Sequence, residues 1–329
     1  MTSANASHWP VHRLLTPLDA GTLAETAEVL RAAAAADGTP SVSEQSLIAL
    51  RTGGNDGQEV EAHLVYAPED PFAEAETARE AVLAGFAVLV TSGEEAVLEM
   101  AVHPGYRNIG VGFRLAGHLE ETRGTLEGIQ AWSHGDAAAA EDLATHFGFT
   151  RVRELWRMRL STPPASGTPA ADDALPAGYT LRTFVPGQDE GAWLEANARA
   201  FAHHPEQGAL TLRDLQERQA EPWFDPEGFF LAVDGQGRVA GYHWTKMHPA
   251  QDQHGPQGEV YVVGVAPEAQ GKGLGKILTR RGISHLRERG AGTVLLYVEA
   301  DNTPAVRLYE SLGFTHWDSD VMYRKNPAS

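Results

Sequence analysis

The chain has 329 residues, which corresponds to roughly two domains at about 150 residues each. Its 26 Lys and Arg against 44 Asp and Glu leave a net charge of −18, which argues against a nucleic-acid partner and an anionic membrane surface. The chain has no cysteine, so disulfides, cysteine–zinc sites and cysteine nucleophiles are excluded.

No segment of the sequence resembles a targeting signal or a membrane span. The first ten residues are polar, and the apolar run around residues 81–90 is far shorter than the roughly 20 residues that a spanning helix needs. We therefore expect a cytoplasmic protein with no membrane partner, and we expect it to be a monomer.

One segment of the chain has the composition of a linker. Residues 161–178 are rich in Pro, Ala, Ser and Gly and have no apolar periodicity. We predict a first domain at 1–160, a linker at 161–178 and a second domain at 179–329. The alternative is a long surface loop within one domain.

The two sides of this segment resemble each other. Each half has a strand, a proline, a Gly-rich turn and an amphipathic helix, starting at Val97 in the first half and Val260 in the second. A short helix, a Gly-Phe pair and an apolar strand follow in both. The shared order and near-equal spacing predict a duplicated domain. Strands alternating with helices predict an α/β fold with a mixed sheet and helices packed on it.

The apolar pattern of the second half predicts six strands and three helices. The strands are predicted at 179–185, 229–233, 239–246, 260–265, 293–299 and 322–325. The helices are predicted at 190–201, 273–289 and 304–312. Thr303 can cap the last helix, Pro304 suits its first position and Gly313 suits the position just past its end.

A Gly-rich turn at residues 270–275 separates a predicted strand from a predicted helix. The start of a helix has unpaired backbone N–H groups and partial positive charge, and glycines let a phosphate approach them closely. Lys272, Lys276 and Arg280, spaced by four residues, and Arg281 add positive charge in an acidic chain. The pattern matches neither a P-loop nor a dinucleotide fingerprint. It predicts a polyphosphate site, with a solvated helix as the alternative.

Two motifs around this turn resemble those of the GCN5-related N-acetyltransferases (GNAT). Q-x-x-G-x-G at 270–275, after a strand ending Val263-Gly264-Val265, is similar to the acetyl-CoA pyrophosphate loop of that family. ADNTPAVRLYESLGF, ending at Phe314, is similar to its other signature. The resemblance implies two tandem GNAT-fold domains that bind acyl-CoA, with acetyl-CoA as co-substrate.

The resemblance also implies which residues contact the co-substrate. In the second half they are Val263, Gly264, Val265, Gln270, Gly271, Lys272, Gly273, Leu274, Gly275, Lys276, Asn302, Thr303, Pro304, Ala305, Val306 and Arg307. In the first half they are Met100, Ala101, Val102, Arg107, Asn108, Ile109, Gly110, Val111 and Gly112.

A narrower resemblance covers nearly the whole chain. The order HHPEQG, HWTK, GEVYVVGV and LYVEADN is similar to that of the tandem acetyltransferases that form mycothiol. Those enzymes acetylate the cysteinyl amine of Cys-GlcN-inositol, a small molecule, with acetyl-CoA. The resemblance implies substrate contacts from Glu44, Glu206, Lys246, Glu259 and Tyr297. The alternatives are acetylation of another amine, such as an aminoglycoside or a protein N-terminus, and a non-catalytic acyl-CoA sensor.

Glu259 and Tyr309 are the candidate proton-transfer residues for a direct transfer. An α-amine has a pKa near 8, so roughly a tenth is neutral at pH 7, and a carboxylate can take up the proton. Glu259 begins the strand that leads to the Gly-rich turn. Tyr309, on the following short helix, can protonate the departing thiolate. The resemblance assigns base and acid to these motif positions. A surface charge and a core aromatic are the alternatives.

Alignment of the two halves predicts that they differ in function. It pairs Glu259 with Ala96, Tyr309 with Ala144 and Asn302 with Ala137. The first half keeps a plausible pyrophosphate turn but lacks both proton-transfer candidates. We therefore expect a degenerate first domain and catalysis in the second half only.

We expect no metal site, because the histidine spacing matches no familiar zinc motif. The histidines considered are His203, His204, His243, His248 and His254.

Overall fold

The computed structural model describes residues 5–55, 57–68, 80–161, 174–202, 207–250 and 255–326, and the chain divides into two compact units. The first unit is Met1–Leu155 together with Asp318–Ser329, and the second unit is Trp156–Trp317. These ranges differ from the predicted 1–160 and 179–329, because the last strand of each half lies partly in the unit of the other half. Most of the predicted linker falls outside the described residues.

The described residues form eight α-helices and twelve strands. The helices are α1 (Ala20–Asp37), α2 (Glu44–Thr52), α3 (Val111–Arg123), α4 (Ala138–His146), α5 (Glu190–Ala200), α6 (Leu212–Gln219), α7 (Leu274–Glu288) and α8 (Thr303–Ser311). The strands are β1 (Val11–Leu15), β2 (Gln58–Pro68), β3 (Glu80–Ser92), β4 (Glu95–Val102), β5 (Ile129–Ser133), β6 (Thr150–Ser161), β7 (Tyr179–Thr183), β8 (Phe229–Asp234), β9 (Val239–His248), β10 (Gln257–Val265), β11 (Thr293–Glu299) and β12 (Thr315–Arg324).

Both units have the same strand order, which confirms the duplication. In the first unit, β1 to β4 are antiparallel neighbours in sequence order, and β4 pairs with β5 in parallel. In the second unit, β7 to β10 repeat this arrangement, and β10 pairs with β11 in parallel. The mixed sheet agrees with the predicted fold class.

The final strands account for the unit boundaries. The end of β12 pairs antiparallel with β5, with Met322 opposite Trp132, and therefore belongs to the first unit. Conversely, Met158 on β6 is buried with Val260 and Leu296 in the second unit. β12 starts seven residues earlier than predicted, because its polar first half hides the strand pattern.

Helices cover both faces of each sheet. In the first unit, Leu115 and Leu119 of α3 pack on one face, whereas Val29 of α1 and Leu50 of α2 pack on the other. In the second unit, α7 packs Leu286 against β10 and β11, and α5 packs Trp193 among the aromatic side chains of β8 and β9. In the described part of the chain, no helix is long and apolar enough to cross a membrane.

Two local predictions need correction. Asn302, and not Thr303, caps α8: its side chain accepts a hydrogen bond from the Ala305 amide at 3.3 Å. The patterning also missed α6, which Thr211 and Asp214 start with a reciprocal capping box. This helix is only eight residues long and very polar, so it has little apolar periodicity to detect.

Candidate active site

The Gly-rich turn of the second unit has the geometry of an anion site. Gly271 and Gly273 have φ angles of 74° and 80°, in the left-handed region that favours glycine. Gly273 is the N-cap of α7 and provides no side-chain cap, so its helix start keeps donor groups for another partner. The backbone therefore fits a pyrophosphate at this position.

β10 and β11 pair over only part of their length. The parallel pairing joins Gln257–Val260 to residues 293–296, and a bulge at Tyr261 then shifts the pairing of β10 with β9. Beyond Val260, β10 continues to Val265 along β9. The edge of Val263-Gly264-Val265 that faces away from β9 thus lies beyond the parallel pairing, where its backbone groups can meet a thioester.

The basic residues after the turn are arranged differently from the prediction. Lys272 lies before the first residue of α7, so the four-residue spacing of Lys272, Lys276 and Arg280 does not place all three on one helix face. The Lys272 Nζ donates to the Tyr179 hydroxyl at 2.9 Å and to the Glu268 carbonyl at 3.1 Å. Lys276 and Arg280 remain one turn apart on α7.

Glu259 lies on β10 beside the antiparallel strand β9. Its side chain is 12% exposed, and its Oε2 lies 2.6 Å from the His248 Nε2. Lys246 is directly opposite Glu259 in the strand register. Burial raises the pKa of Glu259, but the hydrogen bond from His248 and the charges of Lys246 and Arg157 outweigh it and hold that pKa below its usual value. Glu259 is therefore an ionised acceptor at neutral pH.

Tyr309 is a buried residue of the second core. It is 6% exposed and packs with Val306 and edge-on against Phe314, with ring centres 5.9 Å apart. Burial raises the pKa of its phenol above the ordinary value, so the hydroxyl stays protonated at neutral pH. A core position and a protonated donor are therefore compatible in this residue.

The predicted substrate residues fall into separate groups. The Lys246 Nζ lies 4.4 Å from the ring centre of Trp223, and Tyr297 is 37% exposed on β11. Glu44 is the first residue of α2 in the first unit, and Ser43 caps that helix as the sequence suggested. Glu206 lies outside the described residues. The substrate roles of all these residues stay predictions.

A cavity of about 790 Å³ opens in the first unit, where the first-half turn was predicted to bind the co-substrate. Seven of the predicted residues line it: Met100, Val102, Arg107, Asn108, Gly110, Val111 and Gly112. Ala101 instead packs in the core on the other sheet face, and Ile109 packs on the α3 side. Ala137 and Ala144, the counterparts of Asn302 and Tyr309, also line the cavity.

The turn of the first unit differs in charge from that of the second. Arg107 forms a two-pronged ion pair with Asp37, with N–O distances of 2.6 and 2.7 Å. Asn108 has a φ of 61° and Gly110 a φ of 96°, so the backbone again curls before α3. This cavity therefore relies on backbone donors more than on free positive side chains.

The strand registers correct one position in the alignment of the two halves. Ala96 pairs with Ile129 in the first unit, and Gly258 pairs with Val294, the counterpart of Ile129, in the second. Glu259 thus corresponds to Val97 and not to Ala96, because the bulge in β10 adds a residue. Neither position in the first half carries a carboxylate, so the predicted difference between the halves does not depend on this shift.

Three features of the sites were not predicted from the sequence. His248 was considered only as a metal ligand, although it follows Lys246 by two residues on the same strand face. Arg157 was assigned to the first half, but it is buried in the second unit. In the first unit, His134 joins Glu99 at 2.6 Å and Asp320 at 3.0 Å. Residues 186 positions apart in sequence give no local signal of such a contact.

The remaining histidines do not form a metal centre among the described residues. Within those ranges, no three His, Asp or Glu side chains are grouped to hold an ion. His243 is fully buried against α7, and burial lowers its pKa to about 3, so it is neutral. His203, His204 and His254 lie outside the described residues.

Comparison with known proteins identifies the class to which the fold and the turns belong. The acetyltransferase (GNAT) family model matches residues 192–314, and an acetyltransferase (GNAT) domain model matches residues 68–151. A GCN5-related N-acetyltransferase from Sphaerobacter thermophilus has a similar structure, with a TM-score of 0.66 and 26% identity over 97% of each chain. A tandem GNAT protein from the clavulanic acid biosynthesis pathway has a TM-score of 0.68 at 20% identity, over 97% of this chain and 100% of that chain. The protein is a tandem GNAT acetyltransferase.

Similarity to individual proteins places the chain in one family within this class. A mycothiol acetyltransferase from Pseudarthrobacter chlorophenolicus is 53% identical over 98% of both chains. Another from Thermobifida fusca is 48% identical over 98% of this chain and 99% of that one. The chain belongs to the mycothiol acetyltransferase family.

Proposed function

We propose that this protein uses acetyl-CoA to acetylate the cysteinyl amine of Cys-GlcN-inositol and so forms mycothiol. Family membership supports the reaction class. The observation that carries the assignment to the second unit is the combination of an ionised, partly buried Glu259, hydrogen-bonded to His248, with a protonated, buried Tyr309. Both residues belong to the unit with the Gly-rich turn.

The proposed reaction is a direct acetyl transfer. The neutral amine attacks the thioester carbonyl, and backbone N–H groups of Val263-Gly264-Val265 stabilise the developing oxyanion. The amine proton passes to Glu259, directly or through water. Because the pKa of that carboxyl is low, Glu259 then releases the proton readily to solvent. Collapse of the intermediate breaks the C–S bond, and the Tyr309 hydroxyl donates a proton to the thiolate.

The co-substrate would be held by the turn and by the start of two helices. The donor groups before α7 suit the pyrophosphate, with Lys276 on the first turn of the helix adding positive charge. The exposed start of α8, Asn302 to Pro304, offers a second point of contact. CoA supplies the activated acetyl group, and the residues above position it.

The first unit is proposed to bind acyl-CoA without transferring its acyl group. Its cavity is lined by the turn before α3, which supports binding. The same cavity has Ala144 at the position of Tyr309, and Val97 takes the position of Glu259. Neither side chain can accept or donate a proton.

A substrate panel tests the proposed function. Purified protein and acetyl-CoA are incubated with Cys-GlcN-inositol, an aminoglycoside or a peptide, and free CoA and the acetylated product are measured. We expect release with Cys-GlcN-inositol and a product heavier by one acetyl group. Release with only the peptide or the aminoglycoside would assign a different amine. Binding of acetyl-CoA without release in any mixture would favour the sensor alternative.

A further inference from the structure

Three aromatic side chains cluster on the surface of the first unit at the start of α3. Phe113, the third residue of that helix, is 44% exposed, although it is large and apolar. Its ring centre lies 5.0 Å from that of His146 and 6.2 Å from that of Phe147, and the last two ring centres are 4.9 Å apart. We call these three residues the aromatic patch. The proposed acetyl transfer uses none of them.

The aromatic patch belongs to the wall of the first-unit cavity. Phe113 and Phe147 line this cavity together with the turn residues Asn108, Gly110 and Gly112. Gly110 is the N-cap of α3 and provides no side-chain cap, and Phe113 follows it by three residues. Three residues of helix rise only about 4.5 Å. A ligand whose phosphate binds at the helix start can therefore place a neighbouring group on the aromatic patch.

The second unit has different residues at the positions of the aromatic patch. The alignment of the two halves pairs Phe113 with Lys276, and it pairs the aromatic residues 146–147 with Ser311 and Leu312. Lys276 lies on the first turn of α7, directly after the Gly-rich turn. The start of the helix after the turn thus carries a cation in the second unit and an exposed ring in the first.

The charges around the first-unit cavity also favour a flat, uncharged group over a further phosphate. Arg107, the basic residue of the turn, is held in its two-pronged ion pair with Asp37. Asp142 lines the cavity and precedes His146 on α4 by about one turn. A nucleotide base needs no charge for recognition, because every base can stack on an aromatic side chain.

We propose that the aromatic patch is an adenine subsite, so that the first unit recognises the base of an acyl-CoA and not its 3′-phosphate. This inference rests on the acyl-CoA binding proposed for the first unit. The pyrophosphate binds the backbone at the turn, and the adenine stacks on the exposed part of the Phe113 ring, which packs against His146 at 78°. The first unit therefore also accepts thioesters of dephospho-CoA, which lack the 3′-phosphate.

The test is a calorimetric titration of the full chain with acetyl-CoA, followed on the binding component that belongs to the first unit. Ala144→Phe fills the first-unit cavity, so the component that it removes is the first-unit component. Phe113→Ala should raise the Kd of that component by about tenfold, because it removes the stacking surface for one base. Phe113→Trp keeps an aromatic ring and should keep this Kd within about threefold.

Truncated ligands separate the base from the rest of CoA. S-acetyl-phosphopantetheine has no adenosine, so Phe113→Ala should leave its first-unit Kd unchanged within about twofold. Acetyl-dephospho-CoA keeps the base, so it should bind the wild-type first unit within about threefold of acetyl-CoA. Val152→Ala is the matched control variant, because Val152 is 45% exposed in the same unit and lies outside the cavity wall. It should change none of these values.

Three results would overturn the adenine subsite. They are an unchanged Kd for acetyl-CoA in folded Phe113→Ala, an equal loss of affinity for S-acetyl-phosphopantetheine, and about tenfold weaker first-unit binding of acetyl-dephospho-CoA. If Phe113→Ala does not fold by circular dichroism, Phe113→Leu carries the same test, because it keeps an apolar side chain without a ring.

The same titration distinguishes this inference from the proposed function. A wild-type protein with no first-unit component would refute both the proposed acyl-CoA binding of that unit and the adenine subsite. Two binding components without turnover of Cys-GlcN-inositol would refute the proposed acetyl transfer alone. Turnover with a first-unit component that Phe113→Ala leaves unchanged would refute only the adenine subsite.

Discussion

His134→Ala is expected to destabilise the first unit strongly, because it removes the cation between two buried carboxylates. Glu99 and Asp320 are 1% and 4% exposed at their side chains, and both contact the imidazole. Burial lowers the pKa of His134, but hydrogen bonds and charges from Asp320 and Glu99 outweigh it and raise that pKa to about 10. Glu99 also accepts a hydrogen bond from the Ser43 hydroxyl, next to Glu44.

The size of the expected destabilisation follows from the raised pKa of His134. A rise from the ordinary 6.5 to about 10 corresponds to about 5 kcal/mol of preference for the folded, protonated state. Removing one partner of a buried ion pair costs about 3–5 kcal/mol in other proteins, so we expect a cost in this range at pH 7. The stabilisation that results from the raised pKa of His134 is fully present below pH 6.5 and is lost as the pH rises towards 10. The cost of His134→Ala should therefore shrink by about 2–3 kcal/mol between pH 7 and pH 9.

Urea denaturation of the full chain at both pH values measures this effect. His8→Ala, which removes an exposed histidine of the same unit, is the control and should cost less than about 0.5 kcal/mol. Adding Glu99→Gln to His134→Ala should recover part of the loss, because only one buried carboxylate then remains charged. A cost below about 1 kcal/mol at pH 7, or a cost that does not fall by pH 9, would refute the reasoning.

Two further predictions concern packing and binding. Gly282→Ala should lower the free energy of unfolding by about 1–3 kcal/mol, because the new Cβ would lie 2.3 Å from the His243 Nε2. Gly292→Ala is the control, because its new Cβ would meet no atom within 4 Å. The same urea denaturation should show little change in the stability of that variant. Ala144→Phe should fill the first-unit cavity and reduce acetyl-CoA binding in calorimetry from two sites to one. The exposed Ala138→Phe on the same helix should keep both sites, and two full sites in Ala144→Phe would contradict the assignment of the cavity.

The sequence was most informative where function depends on local structure. The Gly-rich turn at 270–275 and the helix that follows it could be predicted, because glycine, proline and apolar spacing act over a few residues. The duplication could be predicted for the same reason, since both halves repeat these local patterns in one order. The burial of Tyr309 agrees with the core position considered as the alternative to its catalytic role.

The features that were missed depend on contacts between distant segments. The final strand of each half lies partly in the unit of the other half, because its pairing partners are not specified by local patterning. Arg157 appears in the sequence as one more charge in an Arg-rich strand, and only tertiary packing buries it. The bulge at Tyr261 shifted the match of Glu259 by one residue, because a bulge has no distinctive sequence at that position.

The central claim is that proton transfer in the second unit alone supports turnover. It is tested most directly by kcat for acetylation of Cys-GlcN-inositol in Glu259→Gln and Tyr309→Phe, with acetyl-CoA binding measured alongside. We predict that each variant loses about 10²–10⁴-fold in kcat while still binding acetyl-CoA. Turnover close to that of the wild type in both variants would contradict the account.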